Sequence, residues 1–101
     1  MYDLDYLPIA LDDMTAIVGY IANDLFNPTA ADSLADEFID KAEGLRDFPF
    51  RNPVYHSIKP TKHEYRTQPV KNYVMFYFIT GNLITIARVV YARRNFDGLL
   101  E

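Results

Sequence analysis

The sequence contains no cysteine. Disulfides, thiolate metal sites and a cysteine nucleophile are therefore excluded. A reducing, cytoplasmic location is the matching expectation. No stretch approaches the roughly 18 consecutive apolar residues that a membrane-spanning helix needs. The opening Met1-Tyr2-Asp3-Leu4-Asp5 is acidic and alternating, without the positive start and apolar run of a signal peptide. There is no internal repeat, low-complexity tract or linker. Histidine is limited to His56 and His63, with no carboxylates grouped around them, so neither metal nor cofactor is expected. What remains is a chain of 101 residues, 50% hydrophobic and 24% charged. Those values fit one globular domain spanning 1–101, with a modest core.

Charge of one sign is scarce at each end. Residues 1–45 hold ten acids and the single base Lys41, a net of −9, whereas residues 46–101 hold nine bases and four acids, a net of +5. The overall −4 argues against a general nucleic-acid binder, whose footprint is basic. An acidic face beside a basic one remains compatible with that total.

Apolar periodicity gives the order of elements. Tyr2, Leu4 and Tyr6 alternate with Asp3 and Asp5, which predicts a half-buried strand over 2–7. Pro8 suits the first helical position, although Leu7 offers no capping acceptor. Leu11, Met14, Ile17, Val18, Ile21 and Leu25 recur at helical spacing, predicting a helix over 9–25 with Asp12 and Asp13 in its first turn. Asn27-Pro28 reads as the cap and first turn of a second helix, striped by Ala31, Leu34, Phe38, Ala42 and Leu45 and ending near 44–46. So short a join makes the pair an antiparallel hairpin. Residues 49–62 carry Pro49, Pro53 and Pro60 and read as a loop, touching a strand near 54–57.

Three strands follow at 63–70, 72–79 and 83–91, the last two joined through Thr80-Gly81-Asn82. The tail 95–100 is expected to form one or two helical turns. The fold class is therefore α+β, with an N-terminal strand and a two-helix hairpin before a three-stranded antiparallel meander that completes a four-stranded sheet. The strands at 72–79 and 83–91 are apolar at both parities, so both of their faces call for cover. One helical layer covers only one face. The other is expected to stay open, partly apolar and positively charged through Arg66 and Arg88, until a partner seals it.

Three stretches together resemble the RelE/ParE toxin superfamily of type II toxin–antitoxin systems, on its ParE-like branch. The first runs from Asp12-Asp13 through Ile17, Tyr20-Ile21 and Asn27-Pro28-Thr29-Ala30-Ala31 to Leu45-Arg46-Asp47-Phe48-Pro49. The second is Tyr65-Arg66 with Val70-Lys71-Asn72-Tyr73-Val74-Met75-Phe76-Tyr77, and the third is Arg88-Val89-Val90-Tyr91-Ala92-Arg93-Arg94-Asn95. The resemblance covers essentially the whole chain. It implies a small fold with an antiparallel sheet, genetic pairing with a cognate antitoxin, and neutralisation by the antitoxin's C-terminal segment in a hetero-oligomeric complex.

Two activities follow from the two branches. The ParE-like one is growth inhibition by stalling DNA gyrase on broken DNA, which is binding chemistry and needs no catalytic constellation. The RelE-like one is ribosome-dependent cleavage of messenger RNA, which needs an activated 2′-hydroxyl, a stabilised phosphate and a protonated leaving oxygen. For that nuclease the phosphate candidates are Arg66, Arg88, Arg93 and Arg94, arginine being suited to bidentate phosphate contacts, and Tyr91 is a candidate for proton transfer. His63 and Glu64 are further proton-transfer candidates. Lys59, Lys62, His63, Arg93 and Arg94 are the candidates for meeting the target. Tyr73, Met75, Tyr77 and Arg88 are the candidates for meeting the antitoxin. Glycine is common in the family just before the arginine matching Arg66 and where Ala92 stands, so a nontoxic antitoxin-binding module is a third reading.

Overall fold

The computed structural model describes residues 1–100. Strand β1 (Asp3–Tyr6) leads into helix α1 (Pro8–Gly19), whose last turn widens into a π-helical segment, Tyr20–Asp24. Helix α2 (Pro28–Gly44) follows, then a long irregular segment, then β2 (Arg66–Val70), β3 (Tyr73–Thr80) and β4 (Leu83–Tyr91). The expected helix over 9–25 is thus α1 plus the π-helical turn. Pro8 opens it, and Leu7 caps it without a side-chain hydrogen bond. Asn27 caps α2 by accepting from the Ala30 N–H at 3.1 Å. Because α1 begins at Pro8, Asp12 and Asp13 fall in its second turn and not beside the N-terminal dipole. Asp13 instead makes a tertiary contact.

The sheet order is β1-β4-β3-β2. The meander β2-β3-β4 is antiparallel as expected, but β1 pairs parallel to β4, Asp3 opposite Leu83 through Tyr6 opposite Ile86. The sheet is mixed, which corrects the all-antiparallel expectation. Strand β2 starts at Arg66 and not at 63. Before it, the segment 49–65 touches the sheet through an isolated bridge, Val54 to Arg66. The tail forms separate turns instead of helix. The Asn95 side chain accepts from the Asp97 N–H, a local bond that competes with a helical turn, and Gly98 takes a left-handed φ of 73°.

Residues on alternate sides of the strands build two cores. On the helix side Ala10, Met14, Leu34, Phe38, Ala42 and Leu45 pack against Val70, Met75, Tyr77, Ile84, Ile86 and Val89. Helix α1 has only 12 residues, too short to be stable alone in water, so this packing holds it. On the opposite side Tyr65, Val74, Phe76, Ala87 and Val90 form a second cluster. Tyr55 from the irregular segment and Phe96, Leu99 and Leu100 from the tail pack over it. Phe76 is 0% exposed. The expectation of a sheet face left open for a partner is therefore wrong. The chain closes that face itself, with segments whose sequence carries no periodicity.

Candidate functional site

Strand β1 ends opposite Ile86, so the edge of β4 from Ala87 onward has no neighbouring strand. A β-bulge falls at the same place. Phe76 pairs with Arg88 while Tyr77 pairs with Ile86, leaving Ala87 as the extra residue. Bulges bend a strand and redirect a side chain. Here Arg88 reaches α1, its Nε donating to Asp13 Oδ2 at 2.8 Å and its Nη2 to Oδ1 at 3.0 Å. Asp13 Oδ2 also accepts the Val89 backbone N–H at 3.0 Å. One carboxylate thus satisfies an orphan strand-edge donor and fixes α1 to the sheet. The hydrogen bonds to Asp13 push the Arg88 pKa up, partly opposed by burial.

Arg66 stands two strands away, at the start of β2. Its Nη1 donates to the Asn52 carbonyl at 2.6 Å, its Nη2 lies 3.7 Å from Glu64 Oε1, and its guanidinium sits over the Phe50 ring at 5.1 Å. These contacts pin the 49–52 segment to the sheet edge. A buried knot beside it completes the attachment. The Tyr77 hydroxyl donates to the Pro49 carbonyl at 2.7 Å, and Arg51 and Asn52 both donate to Gln68 Oε1 at 2.9 Å. Burial pushes the Tyr77 hydroxyl above its ordinary pKa of 10.0, with the Asn52 hydrogen bond and the charges of Arg66 and Arg51 pulling the other way.

The structure therefore gives Arg66, Arg88 and Tyr91 different neighbours. Tyr91 closes β4, exposed, with its ring edge-on to Tyr73 at 6.0 Å. Among the target-binding candidates, His63 stacks on Phe78 at 3.7 Å, and Lys59 lines a small cavity with Asp97 and Gly98. Lys62 is exposed in the same loop, and Arg93 and Arg94 are exposed in the turn after β4. Of the antitoxin-binding candidates, Tyr73 is half-buried between Phe38 and Tyr91. Met75 and Tyr77 are 0% exposed beneath the helices, which removes them as a docking surface. Their side chains alternate with Val74 and Phe76, and the alternation puts them on the face the hairpin covers.

Apolar surface lies instead on the helix layer. A groove of about 420 Å³ runs between α1 and α2, lined by Leu11, Met14, Val18, Ala35, Phe38 and Ile39 among others. Leu11 and Ile39 are about half exposed. No helix among the described residues is long and apolar enough to cross a membrane.

A family model described as the ParE toxin of the type II toxin–antitoxin system parDE matches residues 4–96. The chain belongs to the ParE toxin family. As a member of the family, it is the toxin component of a type II system, with a cognate antitoxin as partner and a toxin–antitoxin complex as its neutralised form. The fold is similar to that in the chromosomal ParDE TA system from P. aeruginosa, with 19% identity, a TM-score of 0.75, and coverage of 92% of this chain and 98% of that one. Similarity to YafQ from E. coli strain BL21(DE3) is looser, at 16% identity and a TM-score of 0.47 over 90% of this chain and 93% of that one. No curated protein matches the chain.

Sequence reasoning missed Asp13 as the partner of Arg88. Its spacing within α1 was visible, but the bulge that turns Arg88 toward it was not.

Proposed function

We propose that this ParE-family toxin arrests growth by binding DNA gyrase and stalling it on broken DNA, not by cutting messenger RNA. The observation that carries this reading is the occupation of the sheet arginines. A cleavage site needs a free guanidinium for the phosphate and a proton-transfer group within hydrogen-bond reach of it. Arg88 gives two donors to Asp13, and Arg66 is spent on the Asn52 carbonyl and Glu64. Tyr91 meets neither of them in the contacts it makes, and Arg93 and Arg94, though exposed, stand in the turn after β4 and not on the strand scaffold that would fix them on a phosphate. The net charge of −4 also favours a protein target over the strongly anionic ribosome.

The antitoxin is assigned to the helix layer. The sheet face is closed by the chain's own tail, whereas the groove between α1 and α2 presents exposed Leu11 and Ile39. Asp12, Asp36 and Asp40 are exposed on the same helices, so the matching segment is apolar with flanking bases. The test of the target is a supercoiling and cleavage assay with gyrase from the source organism. Accumulation of cleaved complexes is expected. Unaffected gyrase, together with newly cut messages on translating ribosomes, would transfer the protein to the nuclease reading.

A further inference from the structure

Two backbone positions draw attention to one end of the molecule. Among the described residues, Phe26 and Lys71 are the non-glycine residues at positive φ, 52° and 53°. That conformation brings a Cβ too close to the following carbonyl oxygen, so glycine is the favoured residue there. The chain supplies its own control. Two hairpin loops have the same length, Lys71-Asn72 between Val70 and Tyr73, and Gly81-Asn82 between Thr80 and Leu83. Gly81 takes φ 60° where Lys71 takes 53°. Phe26 ends the π-helical turn, at the position where helices commonly place glycine. Burial does not account for its aromatic ring, which is 86% exposed.

Lys71 lines a cavity of about 570 Å³ together with Tyr20, Ile21, Leu25 and Tyr73 and the polar Ser33 and Asn72. Phe26 lies between Leu25 and Asn27, which both line it. Tyr20 and Leu25 are about half exposed. Arg93 and Arg94 enter the same end of the sheet, because the Ala92 N–H donates to the Asn72 carbonyl at 2.8 Å. A cavity of mixed apolar and polar lining thus has Lys71 in its wall, with the exposed Arg93 and Arg94 following the adjoining strand end and Asp24 at the close of the π-helical turn. Strain held by side chains that the fold does not use belongs to function more often than to stability. Exposed aromatic and arginine side chains are also the usual anchors of protein interfaces.

We infer that this end is the surface with which the toxin engages its protein target, and that it takes an acidic amphipathic segment of that target. Apolar side chains of the segment fill the cavity beside Phe26, and its carboxylates meet Lys71, Arg93 and Arg94. A nucleic-acid strand fits less well, because Tyr20, Ile21, Leu25 and Tyr73 in the cavity wall call for apolar side chains that a phosphate backbone does not carry. The inference rests on the reading that the toxin acts by binding. It places the target apart from the antitoxin groove.

Phe26→Gly and Lys71→Gly test it, since each relaxes the backbone while removing the side chain. Both variants should melt at the same temperature as the parent or higher, and both should still form the complex with the cognate antitoxin. The inducer level needed for growth arrest should rise at least about tenfold, and affinity for purified, DNA-free gyrase should fall by a similar factor. If the parent protein arrests growth yet leaves gyrase unbound, the gyrase reading fails while the growth comparison still judges this surface. Full toxicity in both variants overturns the inference. Loss of antitoxin binding overturns it too, by handing the surface to the antitoxin. So does a loss of binding to purified duplex DNA on Arg93→Glu or Arg94→Glu with gyrase affinity intact.

Discussion

On one side of the sheet Met75, Tyr77, Ile84 and Ile86 lie under two helices, each held by its own ladder of backbone hydrogen bonds. On the other, Val74, Phe76, Ala87 and Val90 lie under Tyr55, Phe96, Leu99 and Leu100, carried by segments without regular structure. That cover depends on scattered bonds, such as the Tyr55 N–H to the Tyr65 carbonyl at 2.7 Å and the Leu99 N–H to the Phe96 carbonyl at 3.0 Å. A layer of this kind opens locally at a lower cost than a packed helix pair. Equal burial of the strands thus hides unequal durability of what buries them.

The largest effects sharpen this contrast. Phe38 is 1% exposed and central to the helix side, so Phe38→Ala should cost about 3–5 kcal/mol. Phe96 is only half-buried, with edge-on ring contacts to Phe76 at 5.1 Å and Tyr55 at 5.9 Å. Phe96→Ala should cost about 1–2 kcal/mol, mostly lost ring contacts. Urea titrations of both variants decide the matter. Equal losses would mean that the tail is as integral as the helices, and the contrast would break.

Next in size is the bond that fastens the helix layer to the strands. Asp13 and Arg88 have side chains 15% and 17% exposed. Breaking a fully buried pair costs about 3–5 kcal/mol, and the residual solvent contact brings Asp13→Ala down to about 2–3 kcal/mol. Asp13→Asn should lose less, because the amide oxygen still accepts from the Val89 N–H. Thermal melts in which Asp13→Ala changes nothing would show that packing alone fastens α1. Because the same carboxylate restrains Arg88, an Arg88→Ala variant that loses toxicity has to be checked for folding before any role at a target is assigned to it.

How far all this was legible in the sequence depends on how local each cause is. Pro8, Asn27-Pro28 and the Leu34–Phe38–Ala42 stripe mark the helices by short-range signals, and the structure places the helices there. Gly81-Asn82 marks its turn equally well. The parallel pairing of β1 with β4 has no local mark, since it joins residues some 80 positions apart in register. The closure of the second face was illegible for a related reason. Tyr55, Phe96 and Leu99 come from stretches with no period, and only their meeting over Phe76 gives them a role. At the candidate site, the residue types were visible, but the bulge at Ala87 and the strain at Phe26 are backbone facts that composition does not carry.

The smallest effects separate two tyrosines on the helix side. The Tyr77 hydroxyl donates to the Pro49 carbonyl and so ties the irregular segment to the regular layer. The Tyr6 hydroxyl is buried with no hydrogen-bond partner among the described residues. Tyr77→Phe strips the Pro49 carbonyl of its donor and should cost about 1–2 kcal/mol, whereas Tyr6→Phe should be neutral or stabilising by up to about 1 kcal/mol. Alkaline pH reads the same difference. Burial raises both hydroxyls above 10.0, with the negative charge of Glu43 adding to the rise at Tyr6. Below pH 10 the folded and unfolded chains both keep these protons, so stability there is unaffected. Above it the unfolded chain releases them first and stability falls, by about 1.4 kcal/mol for each pH unit separating folded from unfolded pKa. Either phenylalanine variant should flatten the fall above pH 10, but only Tyr77→Phe should begin from a lower stability at pH 7. If Tyr6→Phe also starts lower, its hydroxyl has a partner and the difference between the two tyrosines disappears.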